Sequence, residues 1–321
     1  GVKVYVMDEA DRLLDMGFKR DIDQITNFLN HRNPVLGKRM TLLFSATVAP
    51  EIREIARTTL LPGYKTIDTV GEEVEQTHSH VPQKVMQAPM SSQLRVIVQL
   101  VEQHKAQNPD GHKIILFFPT ARQTGYYASV FNTIGLTTLE IHSRKSQSQR
   151  TKASDLFRTG KNVILCSSDV SARGMDYPDV SFVLQIGLTD RDQYIHRLGR
   201  TARAGKSGTG MLVLAPFEYD YMTRRELSDL PLEVTHFSTL PTTLSPLVQR
   251  AEAVVRDLAA KEDQGGSFGE DSDKDGAKMA WQAWLGFYNS HCKKLNLSKE
   301  ELVQKSAEYA GTIGFSTIPA L

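Results

Sequence analysis

Short apolar runs recur along this chain, and their near-continuous apolarity limits the fold more than any other feature. VKVYVM, MTLLFS, KIILFFPT, TTLEIH, NVILCSS, VSFVLQIG and GMLVLAP alternate with amphipathic stretches. Strands apolar at nearly every position are buried on both faces, and the intervening helices supply the crossovers of parallel sheets. The pattern predicts an α/β protein. Helices are expected at 92–104, 122–134, 147–158 and 191–203. Beyond residue 237 the strand signal stops, and helices are expected at 244–260, 277–294 and 299–309.

Residues 1–68 hold two or three strands, too few for an independent sheet. The acidic GEEVEQT then reads as a linker at 69–76, followed by one complete doubly wound domain at 77–237. A helical extension occupies 238–321, interrupted by an acidic, Gly/Ser-rich loop at about 261–276. With 321 residues, 40% hydrophobic, the chain can build two cores. A net charge of +1 means that any basic surface must be local. Cys166 and Cys292 have neither disulfide nor metal spacing, which fits a reducing compartment. No run approaches the length of a membrane span, so no membrane partner is expected. The first residue is Gly1 and no leader is visible, so targeting information is expected to lie elsewhere.

Several motifs sit where such sheets gather ligands, at strand C-terminal ends. Asp8-Glu9-Ala10-Asp11 follows VKVYVM. Its plain reading is an acidic helix start. In a nucleotide hydrolase, Asp8 would hold magnesium through water, and Glu9 would orient or deprotonate the attacking water. Ser45-Ala46-Thr47 follows MTLLF and reads alone as a helix cap. YIHRLGRTARAG spaces Arg197, Arg200 and Arg203 at i, i+3, i+6 beside His196, either an exposed basic face or a phosphate grip. After NVILC, Gly174 allows close backbone approach and Asp176 could accept from ribose hydroxyls. IHSRKSQSQRTKA offers His142, Gln147 and Arg150, or simply a polar helix start. Residues 199–207 imitate a phosphate loop, but five residues separate the glycines where GxxxxGK[ST] has four. No true phosphate loop occurs in the 321 residues. Trp281, Trp284, Leu285 and Tyr288 repeat at helical spacing and predict a core-facing stripe rather than a base-stacking platform.

The order DEAD, SAT, FFPTAR, QSQR, SSDVSARGMD, HRLGRTAR resembles that of the DEAD-box RNA helicases, over roughly residues 1–236. LQIG, RTAR and AWQAWLGFYNSHCKKL resemble the fungal mitochondrial branch, whose members are RNA chaperones that assist intron splicing. The resemblance implies two RecA-like domains, the first present here only in part, binding ATP with Mg2+ and RNA across their cleft. It implies hydrolytic roles for Asp8, Glu9, Arg200 and Arg203, and coupling roles for Asp11, Ser45, Thr47 and His196. Gly174 and Asp176 would face ATP, and Thr120, Gln147, Arg150 and Ser168 would lie along the RNA backbone. Ser168 stands where Thr is commoner, and Ser143 where Gly is usual. Arg250, Arg256, Lys293 and Lys294 add charge suited to RNA in the extension. The expected function is ATP-dependent local unwinding of structured or duplex RNA, without sequence preference, in mitochondrial RNA folding or splicing. Because the phosphate loop is missing, the chain is expected to be a fragment, nearly inert towards ATP alone. A non-catalytic RNA-binding module is the alternative, and an unrelated NTPase or DNA translocase a third.

Overall fold

The structure, a computed structural model, describes residues 2–15, 17–32, 39–45, 50–67, 81–168, 177–202, 207–263 and 276–319. It divides into two compact units, Gly1–Glu73 and Val74–Leu321.

In the first unit, β1 (Val4–Met7) pairs in parallel with β2 (Met40–Leu43), Met7 opposite Leu43. Helices α1 (Ala10–Asp15), α2 (Lys19–Arg32) and α3 (Pro50–Thr59) complete it. Met7, Ala10, Ile22, Ile52 and Ile55 form its small core. The other face of the sheet stays bare, with Val4, Val6, Met40 and Leu42 exposed.

The second unit is built on one all-parallel sheet. Its strands are β3 (Gln83–Gln87), β4 (Lys113–Phe117), β5 (Thr138–Ile141), β6 (Val163–Ser167), β7 (Phe182–Ile186), β8 (Thr209–Leu214) and β9 (Glu233–His236). They lie in the order β5-β6-β4-β7-β8-β3-β9. Helices α4 (Gln93–Gln107), α5 (Ala121–Thr133), α6 (Gln147–Thr159), α7 (Arg191–Leu198) and α8 (Pro216–Tyr221) intervene. Every residue of β4, β6 and β7 is buried, as their apolar runs require. The two-residue pleat sorts them: Ile114, Leu116 and Phe118 join the larger core cluster, Ile115 and Phe117 the smaller one with Phe157 and Tyr177.

The C-terminal helices α9 (Pro246–Asp263), α10 (Ala277–Leu295) and α11 (Lys299–Thr312) share the larger core. Trp281, Trp284 and Tyr288 are buried, as their spacing predicted, and Trp284 stacks on Tyr309 at 5.0 Å. Trp281 Nε1 donates to the Ser306 carbonyl, and Tyr126 of α5 donates to that of Ile313.

Two strands escaped the sequence reading. β3 (QKVMQ) and β9 (EVTH) have few apolar residues, yet β3 is paired on both sides. The helix expected at 191–203 stops early, at Leu198. Gly199 caps it, tight turns follow, and Thr201 Oγ1 donates to the Val180 carbonyl, which draws the chain back toward the sheet. The expected common helical face for Arg197, Arg200 and Arg203 therefore does not form: Arg197 is helical, Arg200 lies in the turn, and Arg203 falls outside the described residues.

Candidate functional site

In the first unit, one strand edge carries Asp8, Glu9 and Ser45. Phe44 N donates to the Met7 carbonyl at 2.8 Å, and Ala10 N donates to the Phe44 carbonyl at 3.0 Å. These bonds staple the acidic turn to the end of β2, beside the half-buried Ser45. Asp8 is exposed and its Oδ1 accepts from Glu9 N. Glu9 adopts φ 48°, a left-handed conformation costing a residue with a Cβ about 1–2 kcal/mol. Such strain concentrates at functional sites, and here it sets the position from which α1 starts. Asp11 lies in the first turn of α1, half-buried and engaged within the protein. Thr47 lies outside the described residues.

In the second unit, the C-terminal edge of β5, β6 and β4 gathers the polar candidates. Phe117 pairs with Ser167, and Ile141 with Ser167, so Thr120, Ser168 and His142 all emerge at one edge. Thr120 is the N-cap of α5: its Oγ1 accepts from Gln123 N at 3.2 Å and donates to Gln123 Oε1 at 3.0 Å. Ser168 is buried, with its N–H given to the Ile141 carbonyl. Ser146 starts α6 with a capping box, leaving Gln147 exposed in the first turn and Arg150 half-buried one turn on. Arg150 Nε is buried without a hydrogen-bond partner within the protein. A buried donor on a cation is costly to leave unmade, so this position suits an anion.

On β5, Glu140 is held by His142 and Lys145. Burial raises its carboxyl pKa, but hydrogen bonds and charge from His142 and Lys145 outweigh that and hold it below the ordinary value. Ser143 is exposed in the turn that follows.

His196 is half-buried on α7, and its carbonyl accepts from Arg200 Nε at 3.2 Å. Arg200 is largely buried. Arg197 is buried, its guanidinium carbon 5.2 Å from the Phe117 ring centroid. Gly174 and Asp176 lie outside the described residues.

Sequence reasoning missed Glu218. It sits at the third position of α8, fully buried, accepting from Ala215 N at 2.7 Å and from the Tyr288 hydroxyl. Burial pushes its carboxyl pKa up to about 7. The signal was Ala-Pro-Phe-Glu, a proline at a helix start with Glu two residues later. Gly187 meets the same group: at φ 76°, a Cβ there would lie 2.8 Å from the Tyr288 hydroxyl.

Two families of known sequence match, one on each unit: DEAD/DEAH box helicase over residues 1–55, and the helicase conserved C-terminal domain over residues 92–205. DEAD-box ATP-dependent RNA helicase 26 of Oryza sativa subsp. japonica is 44% identical over 100% of this chain, which covers 55% of that protein. DEAD-box ATP-dependent RNA helicase 31 of Arabidopsis thaliana is 41% identical, again over 100% of this chain, which covers 41% of it. The chain thus spans about half the length of the curated relatives it matches. Among solved structures, the DEAD-box helicase Mss116 bound to ssRNA and UDP-BeF superposes with a TM-score of 0.76 at 28% identity, over 97% of this chain and 60% of that one. The parallel sheets are those of RecA-like helicase domains.

Proposed function

The chain belongs to the DEAD-box ATP-dependent RNA helicases, and on that premise we propose that its first unit carries hydrolytic groups and its second an RNA backbone site. The observation that carries the RNA reading is the edge holding Thr120, Ser168, Gln147 and Arg150, with the buried Nε of Arg150 in need of an acceptor. Hydroxyls, an amide and a guanidinium there suit phosphates and sugars, not base edges, so binding would be sequence-tolerant. Structured or duplex RNA is the proposed partner.

For hydrolysis, Glu9 would orient and deprotonate the attacking water, and Arg200 with Arg203 would meet charge developing on the γ-phosphate. Ser45, Thr47, Asp11 and His196 would pass the state of ATP to the RNA side, and Gly174 and Asp176 would face the nucleotide. A lone exposed carboxylate such as Asp8 fits a magnesium ion that keeps most of its waters. Bound there, the ion would screen phosphate charge. Among the described residues no group of three or more His, Cys, Asp or Glu is gathered for a metal.

The finer reading is an RNA chaperone in mitochondrial RNA folding or splicing. LQIG, RTAR and the helical extension support it. The plant helicases align over the whole chain, extension included, and their names carry no organelle. Imaging of the tagged whole protein in cells tests this: exclusion from mitochondria rejects it. Among the described residues no helix is long and apolar enough to cross a membrane.

The test of the RNA site is a fluorescence-anisotropy titration of the 321-residue chain with labelled RNA at low and moderate salt. Arg150→Ala is expected to weaken all RNA sequences alike and to reduce the log–log salt slope by about 0.7–0.9. Binding indifferent to salt rejects the phosphate-edge reading. The second reading, an RNA-binding module without catalysis, is favoured for these 321 residues by their lack of a GxxxxGK[ST] motif. Hydrolysis by the chain should not exceed that of a Glu9→Gln control.

A further inference from the structure

Arg200 can meet a phosphate reproducibly only if α7, the helix just before it, is held in place. That helix spans eight residues and buries Tyr194, Arg197 and Leu198. Two turns of helix are marginal by themselves, so the surrounding structure must hold them. At the C-terminal end, Gly199 caps the helix and Thr201 Oγ1 donates to the Val180 carbonyl. Arg200 lies between these two residues, its Nε donating to the His196 carbonyl at 3.2 Å.

The N-terminal end of α7 is gripped by a segment further along the chain. Asp190, the N-cap, accepts from Gln193 N at 2.7 Å. Arg191 N, which an isolated helix leaves unpaired, donates to Glu226 Oε1 at 3.0 Å. The Arg191 side chain forks onto Asp229, with Nη2 2.5 Å and Nε 3.1 Å from Oδ2, but this pair is open to solvent and worth little alone. Glu226 is itself fixed, because Tyr221 at the end of α8 donates to its Oε2 at 2.7 Å. The two residues are five apart. At 3.6 residues per turn they would diverge by about 140°. Met222–Glu226 instead form a π-helix, closed by Leu227 N donating to the Met222 carbonyl at 2.8 Å. Its wider turn brings residues five apart onto one side, and such turns are rare and concentrate at functional sites. The π turn continues directly from α8, which the buried Glu218 anchors to Tyr288 of α10, so the seat of α7 is braced from the core.

We propose that Glu226 is a positioning residue for ATP hydrolysis: through Arg191 N it seats α7, and α7 in turn sets where Arg200 meets the γ-phosphate. Glu226 touches no reacting atom. A carboxylate suits this task because its two oxygens take two donors at once, one from the helix start and one from Tyr221. Negative charge at a helix N-terminus is also favourable. Glutamine would keep an acceptor for Arg191 N, whereas alanine would leave the helix start without one. The inference rests on the role given to Arg200 above, and replacing Arg200 tells the two apart.

The test is ATP hydrolysis by the whole protein at saturating RNA, in steady state for active forms and by single turnover for slow ones. Glu226→Ala is expected to lower kcat about tenfold while KM for ATP changes less than about twofold, because a small displacement of a transition-state group costs rate rather than binding. Glu226→Gln should keep at least about a third of the wild-type kcat, since the acceptor survives. In an Arg200→Ala background, Glu226→Ala should cost nothing further, because its effect passes through the arginine. A merely structural loss would lower kcat by the same factor in both backgrounds. Tyr221→Phe removes one hydroxyl and serves if Glu226→Ala does not fold: kcat should fall about threefold, again only with Arg200 present. Unchanged emission from Trp281 and Trp284 checks that the second unit is folded. Equal falls in both backgrounds overturn the proposal. So does wild-type kcat in Glu226→Ala and Tyr221→Phe when Arg200→Ala is impaired, and the role of Arg200 then stands. Wild-type kcat in Arg200→Ala overturns that role and the seat with it.

Discussion

The two units treat the same kind of strand in opposite ways. In the second, β4, β6 and β7 are covered on both faces. In the first, β1 and β2 are equally apolar in sequence, yet Val4, Val6, Met40 and Leu42 face solvent, Met40 at 60% exposure. Parallel strands need cover on both sides, and this chain, which spans about half the length of the curated relatives it matches, supplies two strands of that sheet. An apolar run therefore reports that a strand expects burial, not that its own unit provides it. The division extends to chemistry. The strained acidic turn belongs to the thinly built unit, and the phosphate-suited edge to the well-packed one.

The largest expected effect separates these chemistries. In the whole protein, Glu9→Gln should lower kcat for ATP hydrolysis by about 10²–10⁴-fold, the usual worth of a general base. RNA affinity without nucleotide should stay unchanged, because the carboxylate lies outside the unit assigned to RNA. Steady-state hydrolysis and anisotropy on the same preparation decide it, and parallel losses in both would erase the division.

Packing comes next. Leu116→Ala, at a fully buried position of β4, should cost about 2–5 kcal/mol in urea unfolding. Leu42→Ala on the bare face of β2 should cost less than about 0.5 kcal/mol. The chain's two tryptophans, Trp281 and Trp284, are both on α10, so their fluorescence follows the second unit alone. Amide hydrogen exchange is needed to follow the first. Equal costs at the two leucines would mean that the face of β2 is covered in solution.

A smaller effect depends on pH. Burial raises the Glu218 carboxyl to about 7, so the folded state binds its proton more tightly than the unfolded state does. The resulting stabilisation is complete below about pH 4.5 and is lost as pH rises through about 7. Its full span is of order 3 kcal/mol. Glu218→Gln should remove that slope from the tryptophan-detected unfolding curve, and a wild-type slope in the variant would assign the proton elsewhere. Gly187→Ala is expected to cost more than the roughly 1–2 kcal/mol of the left-handed backbone, because its Cβ would also lie 2.8 Å from the Tyr288 hydroxyl. Thermal unfolding at two pH values would show whether that cost adds to the Glu218 effect or overlaps it.

Much of this was legible in the sequence, and what was not has physical causes. β4, β6, β7 and β8 announced themselves because burial on both faces demands unbroken apolarity. β3 hid because its outer residues are glutamines, one of which, Gln83, is buried and accepts from the Tyr194 hydroxyl. β9 hid because an edge strand can remain polar. Helix α7 looked longer than it is, since the side chain that turns the chain, Thr201, finds its acceptor at Val180, across the fold. The acidic turn at Asp8 could be read as a motif, but its left-handed Glu9 could not. The seat of α7 had no local signature, because Glu226 reaches Arg191 N from 35 residues downstream.

Gly187 carries a consequence for how such chains diverge. A backbone at φ 76° ordinarily admits Asn or Asp as well as Gly. Here the Tyr288 hydroxyl, 2.8 Å from where a Cβ would sit, narrows the choice to glycine, while Pro119 and Glu218 crowd the same spot less severely. The constraint thus comes mainly from a helix one hundred residues downstream. A descendant that lost α10 would be released from it, and Asn could drift into position 187. Across relatives, the two positions should therefore change together, Tyr at 288 accompanying Gly at 187, and the glycine becoming dispensable wherever the helix is gone.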